Sequence, residues 1–194
     1  MKYLFLSSHP DDVELVSGAT IARLSSEGHQ VEIAVFSDCD IDLAEMYKSH
    51  KTLGANTHYF SFPRREFDKH RQEILDCMIR ARSIIKPDIV FLPDQLDIHQ
   101  DHQVIGMEGI RAFRKNSDII AYAHAHNHFE NHCNYFVAVD QEHIKSKLAA
   151  LNCYVSQWNR FYFQPAAVEA IMRYYGIQAH VPYAEGFRII KQTI

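Results

Sequence analysis

Short apolar runs rich in β-branched and aromatic residues alternate along the chain with segments of helical periodicity. The apolar runs predict buried strands, and the periodic segments predict amphipathic helices. The predicted strands are Lys2–Ser7, Gln30–Phe36, His58–Phe62, Asp88–Leu92, Asp118–His124 and Tyr135–Val139. The predicted helices are Glu14–Glu27, Leu43–Leu53, Glu66–Ile85, His102–Arg114, Gln141–Tyr154 and Pro165–Tyr175. This alternation predicts an α/β fold with a Rossmann-like, mostly parallel sheet flanked by helices on both faces.

The predicted elements follow one another without a linker, an internal repeat or a low-complexity tract. A chain of 194 residues that is 47% hydrophobic has enough apolar side chains for one continuous core. We therefore expect a single domain over residues 1–194.

Charge and composition narrow the range of partners. With 20 basic and 24 acidic residues the formal net charge is −4, which argues against a nucleic acid or an anionic membrane as the main partner. The first apolar run reaches His9 too soon for a signal peptide, and no stretch could span a bilayer. The cysteines at positions 39, 77, 133 and 153 form no CxxC pair, which favours reduced thiols. We expect a cytoplasmic protein.

Functional sites of such sheets lie beyond the carboxyl ends of the strands, where neighbouring connections diverge to opposite faces. The loops expected there are Ser8–Val13, Ser37–Asp42, Pro63–Arg65, Asp94–Gln100 and Ala125–Asn134. Two tight clusters of His and Asp occur at these places, His9-Pro10-Asp11-Asp12 after the first strand and His99-Gln100-Asp101-His102 after the fourth. Taken alone, the first could be a helix N-cap and the second a polar loop. At one edge of the sheet, imidazoles and carboxylates together indicate a catalytic zinc site with a position left for water.

The chain resembles the LmbE/PIG-L family of zinc-dependent N-deacetylases. SSHPDDVELVSGATIARL is similar to the family's N-terminal signature, and DIHQDHQVIG is similar to its second metal motif. Glu45 lies eight residues before Leu53, as in the family's second helix. NYFVAVDQEHIKSKLAALNCYVSQ and AEGFRII resemble its later segments, so the similarity spans nearly the whole chain.

The resemblance implies roles for individual residues. It makes His9, Asp12 and His102 the ligands of one zinc ion, and it makes Asp11 the general base. His99 matches the residue that polarises the amide carbonyl or serves as an acid. Zinc lowers the pKa of a bound water, Asp11 could move its proton, and Asp101 would orient a neighbouring imidazole.

Some positions depart from the family pattern. Asp42 occupies the place of a substrate-contacting Arg, which disfavours a phosphorylated acceptor. The loop from Ser37 to Asp40 lacks the family's glycine turn. Gly18 remains in the stretch after the first metal motif, and we expect it to allow a close approach of the first helix to the sheet.

Weaker signals suggest substrate contacts. Arg64, beside Arg65, could supply positive charge for a phosphate or nucleotide, or could be solvated. His124 is expected to end a strand at the active edge and to contact substrate or relay a proton. The histidines from His124 to His132 could form a second metal site or a polar loop. A cluster of aromatic residues could form a wall for a sugar ring, pack on the core or contact another subunit; its members are Trp158, Phe161, Tyr162 and Phe163.

The leading hypothesis is therefore a hydrolase that removes the N-acetyl group of an amino sugar such as N-acetylglucosamine, or of a sugar conjugate. One alternative is hydrolysis of another amide or an ester at the same metal. A second is a metal- or nucleotide-binding Rossmann-like module without catalysis, against which the absence of GxGxxG after the first strand counts. The short chain leaves little room for a lid, so a homo-oligomer could complete the pocket.

Overall fold

The apolar runs form strands that assemble into one seven-stranded sheet. The computed structural model describes residues 1–37, 42–130 and 132–193. The strands are β1 Lys2–Ser7, β2 Gln30–Ser37, β3 Asn56–Phe62, β4 Ile89–Pro93, β5 Asp118–Tyr122, β6 Tyr135–Ala138 and β7 Ala184–Lys191. The helices are α1 Asp12–Ser26, α2 Leu43–Thr52, α3 Arg71–Ile85, α4 Gln100–Phe113, α5 Gln141–Leu151 and α6 Pro165–Ala179. Short 3₁₀ turns occur at Phe67–His70, Val155–Gln157 and Phe161–Phe163.

The strands lie in the order β3-β2-β1-β4-β5-β7-β6. All neighbours from β3 to β5 are parallel, whereas β7 is antiparallel to both β5 and β6. The prediction of a mostly parallel α/β sheet is confirmed. The strand order reverses between β1 and β4, and such a switch point is where open α/β sheets place their ligands. The loops after β1 and β4, which carry the two His/Asp motifs, therefore lie side by side.

Side chains of the central strands alternate between two apolar layers. On β1, Tyr3 and Phe5 belong to the layer formed with α1, α5 and α6, whereas Leu4 and Leu6 face α3 and α4. Each large apolar side chain that is fully buried contributes about 1.5–3 kcal/mol to folding. Because β1 is buried on both faces, the loop that follows it starts from a firmly held strand.

Several predicted boundaries differ from the structure. The predicted helix Glu66–Ile85 is a 3₁₀ turn followed by α3, because His70, with φ −110° and ψ 16°, interrupts the helical backbone. The predicted strand Asp118–His124 ends at Tyr122, opposite Pro93, where the partner strand β4 also ends. His124 therefore lies in the loop beyond the strand.

Gly18 was expected to allow a close approach of α1 to the sheet, and this expectation is wrong, because its close neighbour is another helix. A Cβ at Gly18 would lie 2.9 Å from Cγ of Lys147, so this glycine permits close packing of α1 on α5. The close approach to the sheet occurs in α4 instead, where a Cβ at Gly106 would lie 2.5 Å from the carbonyl oxygen of Pro93.

The structure bears on two expectations from composition, the reduced cysteines and the lack of a membrane-spanning segment. Cys77, Cys133 and Cys153 form no disulfide bond within the described ranges. Cys39, and with it the Asp38–Asp40 stretch of the loop after β2, lies outside the described residues. In the part of the chain that the structure describes, no helix has the length and apolarity needed to cross a membrane.

Candidate metal centre

The loop after β1 is fixed by short-range hydrogen bonds. The Oγ of Ser7 donates to the carbonyl oxygen of His9 at 2.7 Å, and the N–H of His9 donates to Oδ2 of Asp12 at 2.8 Å. Asp11 precedes the first residue of α1 with φ 85°, a conformation that Asp tolerates better than most residues with a Cβ. Helix α1 therefore begins at Asp12, two residues before the predicted start, and both carboxylates lie at its N-terminus, where the helix dipole favours negative charge.

The loop after β4 leads directly into α4. His99 is the N-cap of that helix, and its Nδ1 accepts the N–H of Asp101 at 3.2 Å. The N–H of His99 in turn donates to Oδ1 of Asp97 at 2.8 Å. Asp101 and His102 occupy the first turn of α4, and both are buried. The cap therefore sets the direction in which the motif meets the loop after β1.

Three side chains from the two loops meet in a triangle of ligand atoms. Nδ1 of His9 lies 3.2 Å from Oδ2 of Asp12, Nε2 of His102 lies 3.2 Å from the same oxygen, and the two nitrogens are 3.3 Å apart. Zinc bonds of 2.0–2.2 Å at the tetrahedral angle separate ligand atoms by about 3.3–3.6 Å. The donor set thus fits a tetrahedral divalent ion with one position open towards the cavity that these residues line.

Each imidazole of the triangle has a carboxylate on its other nitrogen. Nε2–H of His9 donates to Oδ2 of Asp101 at 2.9 Å, and Nδ1–H of His102 donates to Oδ2 of Asp97 at 2.8 Å. Asp97 and Asp101 are fully buried. Such carboxylates fix the tautomer and the orientation of a ligating imidazole and increase its basicity. In the neutral form of each ring, the proton therefore lies on the nitrogen that faces the carboxylate, and the ligand nitrogen carries a lone pair.

The charges of the triangle are strongly coupled. Burial lowers the pKa of His102, but Asp12 and Asp97 outweigh that effect and raise it to about 10. Burial raises the pKa of Asp12, but His102 and His9 outweigh it and hold that pKa well below its usual range. A site that holds an anionic carboxylate against protonated imidazoles favours a cation, and a divalent ion can take the place of those protons.

Asp11 lies at the triangle but is not part of it. Its side chain lines the cavity, and it is only 5% exposed. Burial and the neighbouring Asp12 raise the pKa of Asp11 well above its usual range, and Arg160, whose Nη1 lies 3.4 Å away, opposes them. Asp11 is therefore a carboxylate with a raised proton affinity beside the open position.

His99 presents a neutral imidazole to the same cavity. Its ring stacks on that of His102, with centroids 4.6 Å apart. Burial, and after it the imidazoles of His102 and His9, lowers the pKa of His99 to about 4. Since Nδ1 accepts a backbone N–H, the neutral ring carries its proton on Nε2. His99 is thus a hydrogen-bond donor at neutral pH.

The cavity has a volume of about 370 Å³ and a mainly polar rim. Arg64, a candidate substrate contact from the sequence, lines this cavity. Arg160 and Gln157 also line it, although sequence reasoning did not select either. Arg160 is 149 residues from Asp11 in the chain, so no local pattern could indicate that contact.

Asp97 was also not among the candidate residues, although a sequence pattern could have indicated it. It lies five residues before His102 and binds that ring at 2.8 Å. The short spacing to a metal motif, in a loop rich in carboxylates, is the pattern that could have selected it.

His124, expected at the end of a strand to contact substrate or relay a proton, lies in the loop beyond β5. It is 1% exposed and lies behind the triangle, with its ring 4.7 Å from that of His102 and its Nε2 3.5 Å from Oδ1 of Asp12. His126 lines the cavity in its place and stacks on Tyr162. His124 does not line the cavity, and it lies two residues beyond the end of β5.

The remaining histidines of this loop do not converge. Of the groups of described residues that could hold a metal ion, one combines His124 with Asp97 and His102, and none includes His126, His128 or His132. The expected alternative of a polar loop describes these three residues better than a second metal site.

Proteins similar to this chain are known from both sequence and structure. The family described as GlcNAc-PI de-N-acetylase, PIG-L, matches residues 4–113. The diacetylchitobiose deacetylase of Thermococcus kodakarensis is 26% identical, over 97% of this chain and 83% of the relative. The uncharacterized deacetylase YaiS of Escherichia coli is 30% identical, over 76% of this chain and 87% of the relative. The structure of the conserved protein TT1542 from Thermus thermophilus has the same fold, with a TM-score of 0.80 at 24% identity, over 99% of this chain and 95% of that one.

Proposed function

Because the chain belongs to the PIG-L family of de-N-acetylases, we propose that it is a zinc-dependent hydrolase that removes the N-acetyl group of an amino sugar or sugar conjugate. The observation that carries the proposal is the triangle of His9, Asp12 and His102, whose edges of 3.2–3.3 Å match tetrahedral zinc. These three residues would hold one zinc ion per chain. When bound, zinc supplies a Lewis acid for the acetyl carbonyl and lowers the pKa of a water.

Asp11 is the proposed general base. It takes the proton of the attacking water and later delivers it to the departing amine nitrogen. The raised pKa that burial and Asp12 give to this carboxyl brings it closer to the working pH than an exposed aspartate. Arg160 forms an ion pair with this carboxylate at 3.4 Å and holds it in the cavity. Its positive charge favours the ionised form of Asp11, which can accept a proton.

His99 is proposed to stabilise the negative charge that develops on the carbonyl oxygen. Its Nε2–H is available because Nδ1 is used by the helix cap. With a pKa of about 4 the ring is neutral at pH 7, so it donates a hydrogen bond and does not serve as an acid. Loss of one such donor typically costs about 2.7–4 kcal/mol in transition-state stabilisation. Asp101 and Asp97 act through the ligands His9 and His102, which they orient.

The substrate class follows from the relatives and the cavity. One relative deacetylates diacetylchitobiose, an oligosaccharide with N-acetyl groups, and the polar rim suits hydroxyl groups. Arg64 is the proposed contact at the outer edge. His124 lies behind the metal ligands, so we assign it to their support.

The test combines metal content with acetate release. Wild type, Asp11→Asn and the matched surface control Asp76→Asn, on the exposed face of α3, are loaded with zinc and assayed on N-acetylglucosamine and diacetylchitobiose. We expect one zinc ion per chain in all three proteins, and turnover by Asp11→Asn reduced by about 10²–10⁴. Asparagine tolerates the positive φ of position 11, so the variant should fold. Failure to retain zinc, or full activity of Asp11→Asn, would overturn the proposal.

A further inference from the structure

A second cavity adjoins the metal centre. It has a volume of about 480 Å³ and shares Leu15, His126 and Tyr162 with the cavity at the metal centre. The rings of His126 and Tyr162 are stacked, with centroids 4.2 Å apart and planes 11° apart, and form part of the wall between the two spaces. A molecule bound at the metal centre therefore lies next to the second cavity, and a group attached to it could reach that cavity past these rings.

The lining of the second cavity is apolar, with side chains from α1, α6 and the 3₁₀ turn before α6. Its apolar members include Val16, Phe161, Val168, Ile171 and Met172. A group buried here without hydrogen-bonding partners must itself be apolar, since an unpaired polar group costs several kcal/mol.

The charged residues in the wall offer no charge to a ligand. Nζ of Lys147 lies 2.6 Å from Oε1 of Glu185, and both side chains are buried. Glu185 also accepts the N–H groups of Ala19 and Thr20, at 3.1 and 2.7 Å. Since the two charges neutralise each other, the occupant that fits this cavity is neutral as well as apolar.

The shared wall lies on the Asp11 side of the metal centre. Leu15 follows Asp11 by one helical turn, and its N–H donates to the carbonyl oxygen of Asp11 at 3.1 Å. The guanidinium of Arg160, which contacts Asp11, lies 5.9 Å from the ring centroid of Tyr162. Neither His99, the proposed partner of the carbonyl oxygen, nor Asp11 lines the second cavity, but Asp11 is bonded through its backbone to Leu15 of the shared wall. The second cavity therefore lies towards the amine that Asp11 protonates.

We propose that the second cavity binds a neutral apolar aglycone, alkyl or aryl, carried by the amine-bearing part of the substrate. The proposal rests on the proposed function, because that function assigns the amine to the Asp11 side. It makes the substrate an N-acetylated amino sugar joined to an apolar group.

The experiment compares the hexyl and methyl β-glycosides of N-acetylglucosamine. A buried methylene improves binding by up to about fourfold, and we expect the hexyl glycoside to have a KM at least about tenfold lower. Ala167→Phe places a large side chain on the cavity wall, and we expect it to remove this advantage. The matched control is Ala166→Phe, at an exposed position on the same helix that does not line the cavity.

A binding measurement separates this proposal from the proposed function. Hexyl β-glucoside has no amide, so its calorimetric binding to the zinc-loaded protein does not depend on deacetylation. Binding that Ala167→Phe abolishes and Ala166→Phe preserves would support the cavity assignment even if no acetate were released. If Ala167→Phe does not fold, Ile171→Ser, which removes apolar lining, takes its place.

Three outcomes contradict the proposal. One is equal KM values for the hexyl and methyl glycosides. Another is an equal loss of hexyl glucoside binding in Ala167→Phe and Ala166→Phe. The third is a gain that follows the acyl chain of N-hexanoylglucosamine instead of the aglycone, which would place the acyl group in this cavity.

Discussion

Two clusters of buried charged side chains contact helix α1, and their charges are satisfied in different ways. Near the middle of the helix, Glu185 accepts hydrogen bonds from Lys147, Ala19 and Thr20. One anion meets one cation there, and two backbone N–H groups complete the shell. We call this the paired cluster.

At the N-terminus of the same helix the charges are unequal. Four carboxylates lie around the ligand triangle, those of Asp11, Asp12, Asp97 and Asp101; the imidazoles of His9 and His102 contact three of them, and Arg160 is the one Arg of the described residues whose side chain contacts any of them. Within the described residues, Oδ1 of Asp101 and Nδ1 of His124 are buried without a hydrogen-bonding partner. A buried polar atom without a hydrogen bond costs folding energy. The paired cluster is therefore neutral by itself, whereas the carboxylates of the metal centre are balanced by imidazole protons that a divalent cation can replace.

The largest effect is expected in the paired cluster. Glu185→Gln leaves Lys147 buried without its counter-charge, so the free energy of unfolding should fall by about 3–5 kcal/mol. Urea unfolding followed by circular dichroism measures it. The control is Glu27→Gln on the same helix, whose pair with Arg23 is exposed, and no measurable change is expected. A loss below about 1 kcal/mol, the range of exposed pairs, would show that the paired cluster is not a structural element.

A smaller effect is expected at Asp97. Asp97→Asn removes the charge that orients His102, and loss of such a partner typically weakens metal binding by about 10–100-fold. Competition with a chelator at fixed pH gives the zinc affinity. Asp94→Asn is the matched control, because Asp94 lies in the same loop but pairs with Arg188 at 2.7 Å. Equal zinc affinities of the two variants would contradict the role given to Asp97.

The smallest effect concerns the stability of the metal-free protein. Since burial and Asp12 raise the pKa of Asp11, the folded state binds this proton more tightly than the unfolded state does. The stability that comes from this tighter proton binding is present below the unfolded pKa of about 3.9 and is lost as the pH rises through the folded pKa of Asp11. Asp11→Asn should therefore stabilise the metal-free protein at pH 7 by about 0.5–2 kcal/mol, with little gain near pH 4.

The neighbouring residue provides a control of opposite sign. The pKa of Asp12 is lowered because His102 and His9 outweigh its burial, so Asp12 contributes stability above its unfolded pKa. Asp12→Asn should destabilise the same metal-free protein at pH 7. Urea unfolding in the presence of a chelator, at pH 7 and pH 4, tests both. Changes of the same sign in the two variants would contradict the opposite pKa shifts of Asp11 and Asp12.

Local patterns predicted much of the framework. β1 and α2 follow the hydrophobic periodicity closely. The switch point between β1 and β4 requires a Rossmann-like strand order, which the alternation of elements does not specify and the structure has. Boundaries were less accurate where side chains cap or interrupt helices, as at His70 and His99. The assignment of individual residues to metal binding and catalysis remains a prediction.

The sequence by itself predicted the α/β class and the two His/Asp loops, because these depend on periodicity or on spacing within a few residues, and the resemblance of its motifs indicated the family. Only the tertiary structure decided which carboxylate supports which imidazole, that Arg160 contacts Asp11, and that His124 lies behind the ligands. It also decided that an apolar cavity opens beside Leu15. These features depend on the directions of side chains from distant elements, and such directions are fixed only when the helices pack on the twisted sheet.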